Sequence, residues 1–153
     1  MLRWMTVFFF CKKVSSIMIF FHGTTSKNVD SILRNGLRFP CLTDRKSLAE
    51  YYADAASEDE GGDPVILSIA MRGDALLQYD ACAMDEPVGF DGLSCAELET
   101  RVAERWSIGG AGNPEWVNNG IIAIPENQWR VSLETVASVR YNGTVGAECI
   151  TAL

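Results

Sequence analysis

The segment from Ile19 to Ala53, IFFHGTTSKNVDSILRNGLRFPCLTDRKSLAEYYA, admits few folds. The apolar, aromatic-rich run Ile19-Phe20-Phe21 reads as a buried strand. It stops at His22, the only histidine of the chain, and Gly23-Thr24-Thr25 follows. Thr25 or Ser26 caps a helix whose apolar face is Val29, Ile32 and Leu33. Asn35-Gly36 ends that helix, because glycine takes the left-handed C-terminal position without strain, and Pro40 forbids a further turn. Cys41-Leu42 is extended, and Thr43 or Asp44 caps a second helix. Leu48, Tyr51, Tyr52 and Ala55 recur at the spacing of its buried face. A polar residue at a strand end beside glycine marks a candidate site. The strand fixes its position, and the glycine admits a ligand to the backbone.

Downstream, Ser57 to Asp63 (SEDEGGD) reads as an exposed, mobile acidic loop, and Val65 to Met71 as a central strand. Leu76, Leu77 and Tyr79 suggest another strand, and Ala81 to Leu93, with Pro87, Gly89 and Gly92, a long irregular loop. Ser94 and Glu97 form a capping box for a helix with Leu98, Val102 and Trp106 on its apolar face. Gly109 to Pro114 breaks the chain. Glu115-Trp116-Val117 and Ile121 to Ile124 read as strand pieces joined at the turn Asn119-Gly120, and Pro125-Glu126 turns again. Leu133 to Tyr141 is the last strand, and Asn142-Gly143 starts a tail hairpin. Trp106, Trp116 and Trp129 are read as packing residues. Helices early and strands late give an α+β layout rather than alternating βαβ units.

The length of 153 residues suits a single domain, placed at 18–153. The first 17 residues are either an added strand around Val7 to Phe10 or an upstream extension, with Met18 as the natural start. Their apolar core is too short for a signal peptide or for the ~20 residues of a membrane helix. A net charge of −7 argues against a broad nucleic-acid surface, which needs a basic face. Lys27, Arg34, Arg38, Arg45 and Lys46 are either a local basic pocket or solvated helix faces. Five cysteines with no CxxC spacing, beside one histidine, argue against a metal site and for free thiols in a reducing cytoplasm.

The chain has no GxGxxG after a strand, no GxxxxGK[ST] and no GxSxG. It does carry His22-Gly23-Thr24, a helix, Gly36-Leu37, then Leu42-Thr43-Asp44, Ala49 and Tyr52-Ala53. That pattern resembles the ADP-ribosyltransferase superfamily of the His-Tyr-Glu type, over about Ile19 to Ala56 and only loosely in the last third. Small phage and bacterial members, including anti-CRISPR ones, are nearest in size.

The resemblance implies an α+β fold of split antiparallel β-sheets with flanking helices. It implies NAD as substrate and ADP-ribose transfer to a macromolecule, by a phage counter-defence protein or a toxin. The acidic composition favours a protein acceptor over nucleic acid. Cleavage of the nicotinamide–ribose bond passes through an oxocarbenium-like state that needs a nearby negative charge. In this family pattern His22 bonds a ribose hydroxyl, and the Gly23 backbone pairs with the carboxamide. Tyr52 stacks on nicotinamide, with Tyr51 as the alternative, and Thr24 and Thr43 complete the NAD-binding set. The family's supporting serine or threonine falls on Ala49, with Thr43 as its substitute.

The family's acid precedes or begins a late strand. Gly120 stands directly before Ile121, so Glu115 is the first candidate and Glu126 the second. Glu97 and Glu99 follow, although capping and the helix dipole already explain them; the remaining alternative is no acid at all. Two other readings stay open. One is an NAD-dependent RNA 2′-phosphotransferase that uses Arg34, Arg38 and Arg45. The other is a catalytically inert acidic protein that blocks a nucleic-acid-binding partner, which Gly120 and Ala49 favour.

Overall fold

The computed structural model describes residues 16–106 and 128–153. Strand β1 (Met18–Thr25) pairs along its whole length with β4 (Pro64–Met71), from Met18↔Met71 to Thr25↔Pro64. Between them run α1 (Ser26–Asn35), the short strands β2 (Leu37–Arg38) and β3 (Cys41–Thr43), and α2 (Lys46–Glu60). Then follow β5 (Leu77–Tyr79), α3 (Ala81–Asp85), α4 (Cys95–Trp106), α5 (Gln128–Val136), β6 (Ser138–Tyr141), β7 (Thr144–Val145) and β8 (Ile150–Ala152). The main sheet has the order β5-β6-β3-β1-β4-β8 with antiparallel neighbours, and β2 pairs with β7 in a sheet of two. The fold is therefore α+β with antiparallel sheets and helices. Within the main sheet β1 and β3 meet at one register pair, Phe21↔Thr43.

The local signals explain the first half. The Thr25 hydroxyl accepts from the Lys27 N–H to cap α1, and Gly36, at φ 82°, returns its N–H to the Ile32 carbonyl. Ile32 is buried, whereas Leu33 stays at the surface. The Thr43 hydroxyl accepts from the Arg45 N–H at 3.0 Å, closing the turn into α2; Arg45 is the cap residue, without a side-chain cap bond.

The buried face of α2 is Leu48, Ala49 and Ala53, not the tyrosine face that the spacing suggested. Gly23 supplies the reason. A Cβ there would fall on the Ala49 carbonyl oxygen and the Ala53 amide nitrogen. The helix backbone lies directly on the strand, where only small residues fit, so Tyr51 and Tyr52 turn outward.

Several expectations are corrected. Ser57 to Glu60 continue α2, which ends only at Gly61 (φ 79°). That end is pinned rather than loose: Lys27 Nζ donates to the Glu60 carbonyl, and Ser26 and Asp63 exchange two bonds. Asp80 caps α3 inside the stretch read as an irregular loop. The last strand is shorter than expected, because Gln128 to Val136 is helix with Trp129, Ser132 and Val136 buried at helical spacing. Ala137 stops that helix at φ 55°, with its N–H on the Leu133 carbonyl. A non-glycine stop costs about 1–2 kcal/mol and leaves no mark in the sequence. Asn142-Gly143 does not close a hairpin, since β6 and β7 belong to different sheets. Helices and strands therefore alternate late as well as early.

The core gathers Phe20, Leu42, Leu67, Ile69 and Val139 from the sheet with Ile32 and Trp129 from the helices. A second cluster, Ala83, Met84, Val102 and Val136, joins α3, α4 and α5. Trp129 packs as expected, with the Arg130 guanidinium over its ring. The Ser94–Glu97 capping box forms in both directions, at 3.0 and 3.1 Å. The expected strand at Val7 to Phe10, the break at Gly109 to Pro114 and the strand pieces from Glu115 to Ile124 lie outside the described residues. So does the environment of Trp116.

Gly23→Ala drives a methyl group into the α2 backbone and is expected to lower the unfolding free energy by about 1–3 kcal/mol. The check is the urea midpoint. A variant with the wild-type midpoint would mean that α2 does not rest on this contact.

Candidate functional site

Beyond Phe21↔Thr43 the two strands part, and a cavity of about 460 Å³ opens between them. Its wall takes Phe21, His22 and Gly23 from β1, and Cys41, Leu42 and Thr43 from β3. Tyr52 of α2 lines it from one side. Asp80, Cys82, Ala83 and Glu86 line it from the α3 side, and Ser138 of β6 completes that part.

His22 spans the split. Its Nδ1–H donates to the Cys41 carbonyl at 2.8 Å, since a carbonyl only accepts. Nε2 is then the acceptor of a neutral ring. Burial lowers its pKa below the usual 6.5, and the bond to the carbonyl opposes the shift only in part.

Tyr52 is 36% exposed and meets Tyr51 edge-on, with ring centroids 5.5 Å apart. Burial and then the Asp80 carboxylate push the Tyr52 phenol up to about 12, so it stays protonated at neutral pH. The Cys41 thiol rises to about 12 from the same two causes in the same order. Such a thiol is a poor nucleophile.

Of the residues proposed from sequence, His22, Gly23, Thr43 and Tyr52 come together on this wall. Thr24 and Tyr51 do not. Thr24 is buried beside Asn28, whose Nδ2 approaches its hydroxyl at 3.4 Å, and Tyr51 is 52% exposed on the outer face of α2. Ala49 is buried against Gly23 and does not reach the cavity. The glycine's missing Cβ is thus explained by helix packing.

Glu115 and Glu126 lie outside the described residues. Glu97 is occupied by its capping box, and neither it nor Glu99 lines the cavity. The late strand next to β3 is β6, and it begins with Ser138. The five basic residues of the opening segment do not gather at the cavity either. Lys27 is bonded to the Glu60 carbonyl, and Arg45 lies 3.8 Å from both Asp44 and Asp91.

No family model, curated protein or solved structure matches this chain. Among the described residues no group of three or more His, Cys, Asp or Glu is placed to hold a metal ion. Cys41, Cys82, Cys95 and Cys149 are free thiols. No helix among the described residues is long and apolar enough to cross a membrane.

Sequence reasoning missed Asp80. An aspartate directly after a strand and before Ala81-Cys82-Ala83 is a helix-cap signal, but five residues of helix leave too short a pattern to read. Its Oδ1 accepts from the Ala83 N–H at 3.1 Å, and its Oδ2 from the Ser138 hydroxyl at 2.6 Å.

The depressed pKa of His22 has a stability consequence. Below about pH 6.5 the unfolded chain takes up a proton that the folded chain resists. Stability is therefore full above that value and falls as pH drops toward the folded pKa. Urea midpoints should decline from about pH 7.5 to 5.5, above the ordinary carboxylate range. His22→Gln, which removes the only histidine, should flatten the decline; an unchanged slope would place its origin elsewhere.

Proposed function

We propose that this chain is an NAD-dependent ADP-ribosyltransferase that modifies a macromolecular acceptor, a protein in preference to nucleic acid. The observation that carries the reading is the convergence of His22, Gly23 and Tyr52 on one cavity. These are the residues that the resemblance assigns to the nicotinamide riboside, and they come from two separate elements. The antiparallel sheet that splits between β1 and β3, with helices on its flanks, supports the same fold type.

In this reading the neutral His22 ring accepts a ribose hydroxyl through Nε2, while Cys41 holds the other nitrogen. The unpaired edge of β1 beyond Phe21 offers backbone groups at Gly23 to the carboxamide. The Tyr52 ring stacks on the nicotinamide. Its phenol, protonated at neutral pH, brings no charge that would disturb the ring. Thr43 anchors the turn between β3 and α2 and so fixes the wall opposite His22.

The phosphotransferase reading is the weaker one. It needs several cations at an RNA phosphate, and Arg34, Arg38 and Arg45 do not line the cavity.

His22→Ala and Tyr52→Ala are each expected to abolish release of nicotinamide from NAD while cooperative unfolding persists. Full activity in both variants would sink the site assignment. Labelled NAD incubated with a cell lysate should mark a protein band. Calorimetry that finds no NAD binding, with tight binding to a partner, would favour the inert acidic protein instead.

A further inference from the structure

Asp80 is 3% exposed and stands on the cavity wall. Two donors hold its carboxylate: the Ala83 N–H and the Ser138 hydroxyl. Both are neutral. No ion pair to Asp80 occurs among the described residues. A buried carboxylate without a cation costs several kcal/mol in desolvation, and folds retain one only where something offsets that cost.

Capping does not account for the charge. The helix it caps has five residues, and asparagine caps as well as aspartate. The backbone around it is also held firmly. The Asp80 N–H donates to the Ser132 hydroxyl at 3.0 Å, and that hydroxyl donates to the Ser138 carbonyl at 2.7 Å. Two buried serines thus fix this carboxylate at the edge of a cavity, where the neighbouring Tyr52 and Cys41 side chains are neutral.

We infer that Asp80 is the carboxylate that faces the ribosyl cation in this cavity, an inference that rests on the NAD reading. The bond between C1′ and the nicotinamide nitrogen breaks with its electron pair leaving on nicotinamide, which departs neutral. C1′ remains as an oxocarbenium ion, and the Asp80 charge stabilises it. The acceptor nucleophile then bonds to C1′ and loses one proton, so the products are ADP-ribosyl acceptor, nicotinamide and a proton. Asp80 forms no covalent bond in the step. Ser138 acts through Asp80 and is a positioning residue.

The test uses the full chain and NAD, with nicotinamide release giving kcat and KM, calorimetry giving NAD affinity, and urea giving stability. Asp80→Asn keeps the cap and the shape but removes the charge. It should retain NAD affinity within about twofold while kcat falls about 100- to 1,000-fold. Ser138→Ala should lower kcat by about tenfold at unchanged KM.

Wild-type kcat in Asp80→Asn overturns the inference. If Asp80→Asn does not fold, Ser138→Ala decides, and a wild-type kcat there overturns it. A wild-type chain that neither binds nor cleaves NAD overturns the NAD reading and this inference together. An active wild type with an unaffected Asp80→Asn removes Asp80 alone.

Discussion

Helix α2 rests on β1 with no side chain between them at Gly23, and the candidate site depends on that contact. The Ala49 carbonyl and the Ala53 amide that crowd Gly23 belong to the same helical turn as Tyr52. One backbone-to-backbone approach therefore sets the distance between the tyrosine ring and the strand that carries His22. Positions held by packed backbone are better defined than positions held by long side chains, and binding geometry tolerates little looseness. The cost is a narrow choice of residues: alanine at 49 and 53, and glycine at 23.

The second constraint is the incomplete union of β1 and β3. Register pairing at Phe21↔Thr43 alone joins the β5-β6-β3 part of the sheet to the β1-β4-β8 part. A strand edge that faces a cavity carries backbone groups in need of partners. The His22 imidazole satisfies one of them, the Cys41 carbonyl, and so bridges the gap with a side chain where a ladder bond would otherwise close it. The cavity and the histidine bond are consequences of the same parting of strands. A fully zipped sheet would bury His22 without a role and leave no space in front of Gly23.

Much of this was legible in the sequence where local chemistry decides structure. The strand before His22, the Thr25 cap, the Gly36 stop and the Ser94–Glu97 box rest on short-range hydrogen bonds, which residue types announce. The misreadings share another cause. Ser57 to Glu60 looked like a loop because they are charged, yet charge does not break a helix, and the stop is Gly61. Leu133 to Val136 looked like strand because valine and threonine favour it, and packing of Trp129 and Val136 against the core overrode that preference. The outward turn of Tyr51 and the burial of Ala49 follow from Gly23, a partner distant in sequence. Asp80 and Ser138 are 58 residues apart, and no local pattern links them.

The charges around the cavity sort the chemistry that it favours. Its described wall holds the carboxylates Asp80 and Glu86 and no lysine or arginine. A phosphate placed there would meet repulsion from both carboxylates. The nicotinamide ring of NAD is itself cationic, and its carboxamide needs one donor and one acceptor. In the proposed reading, a wall made of a strand edge, an aromatic ring, a neutral imidazole and a fixed carboxylate complements that end of the molecule. In the proposed reading the pyrophosphate and adenosine therefore lie beyond this wall, and Asp80 opposes a positive charge both before the glycosidic bond breaks and after. The ring's charge passes to C1′ as the bond breaks.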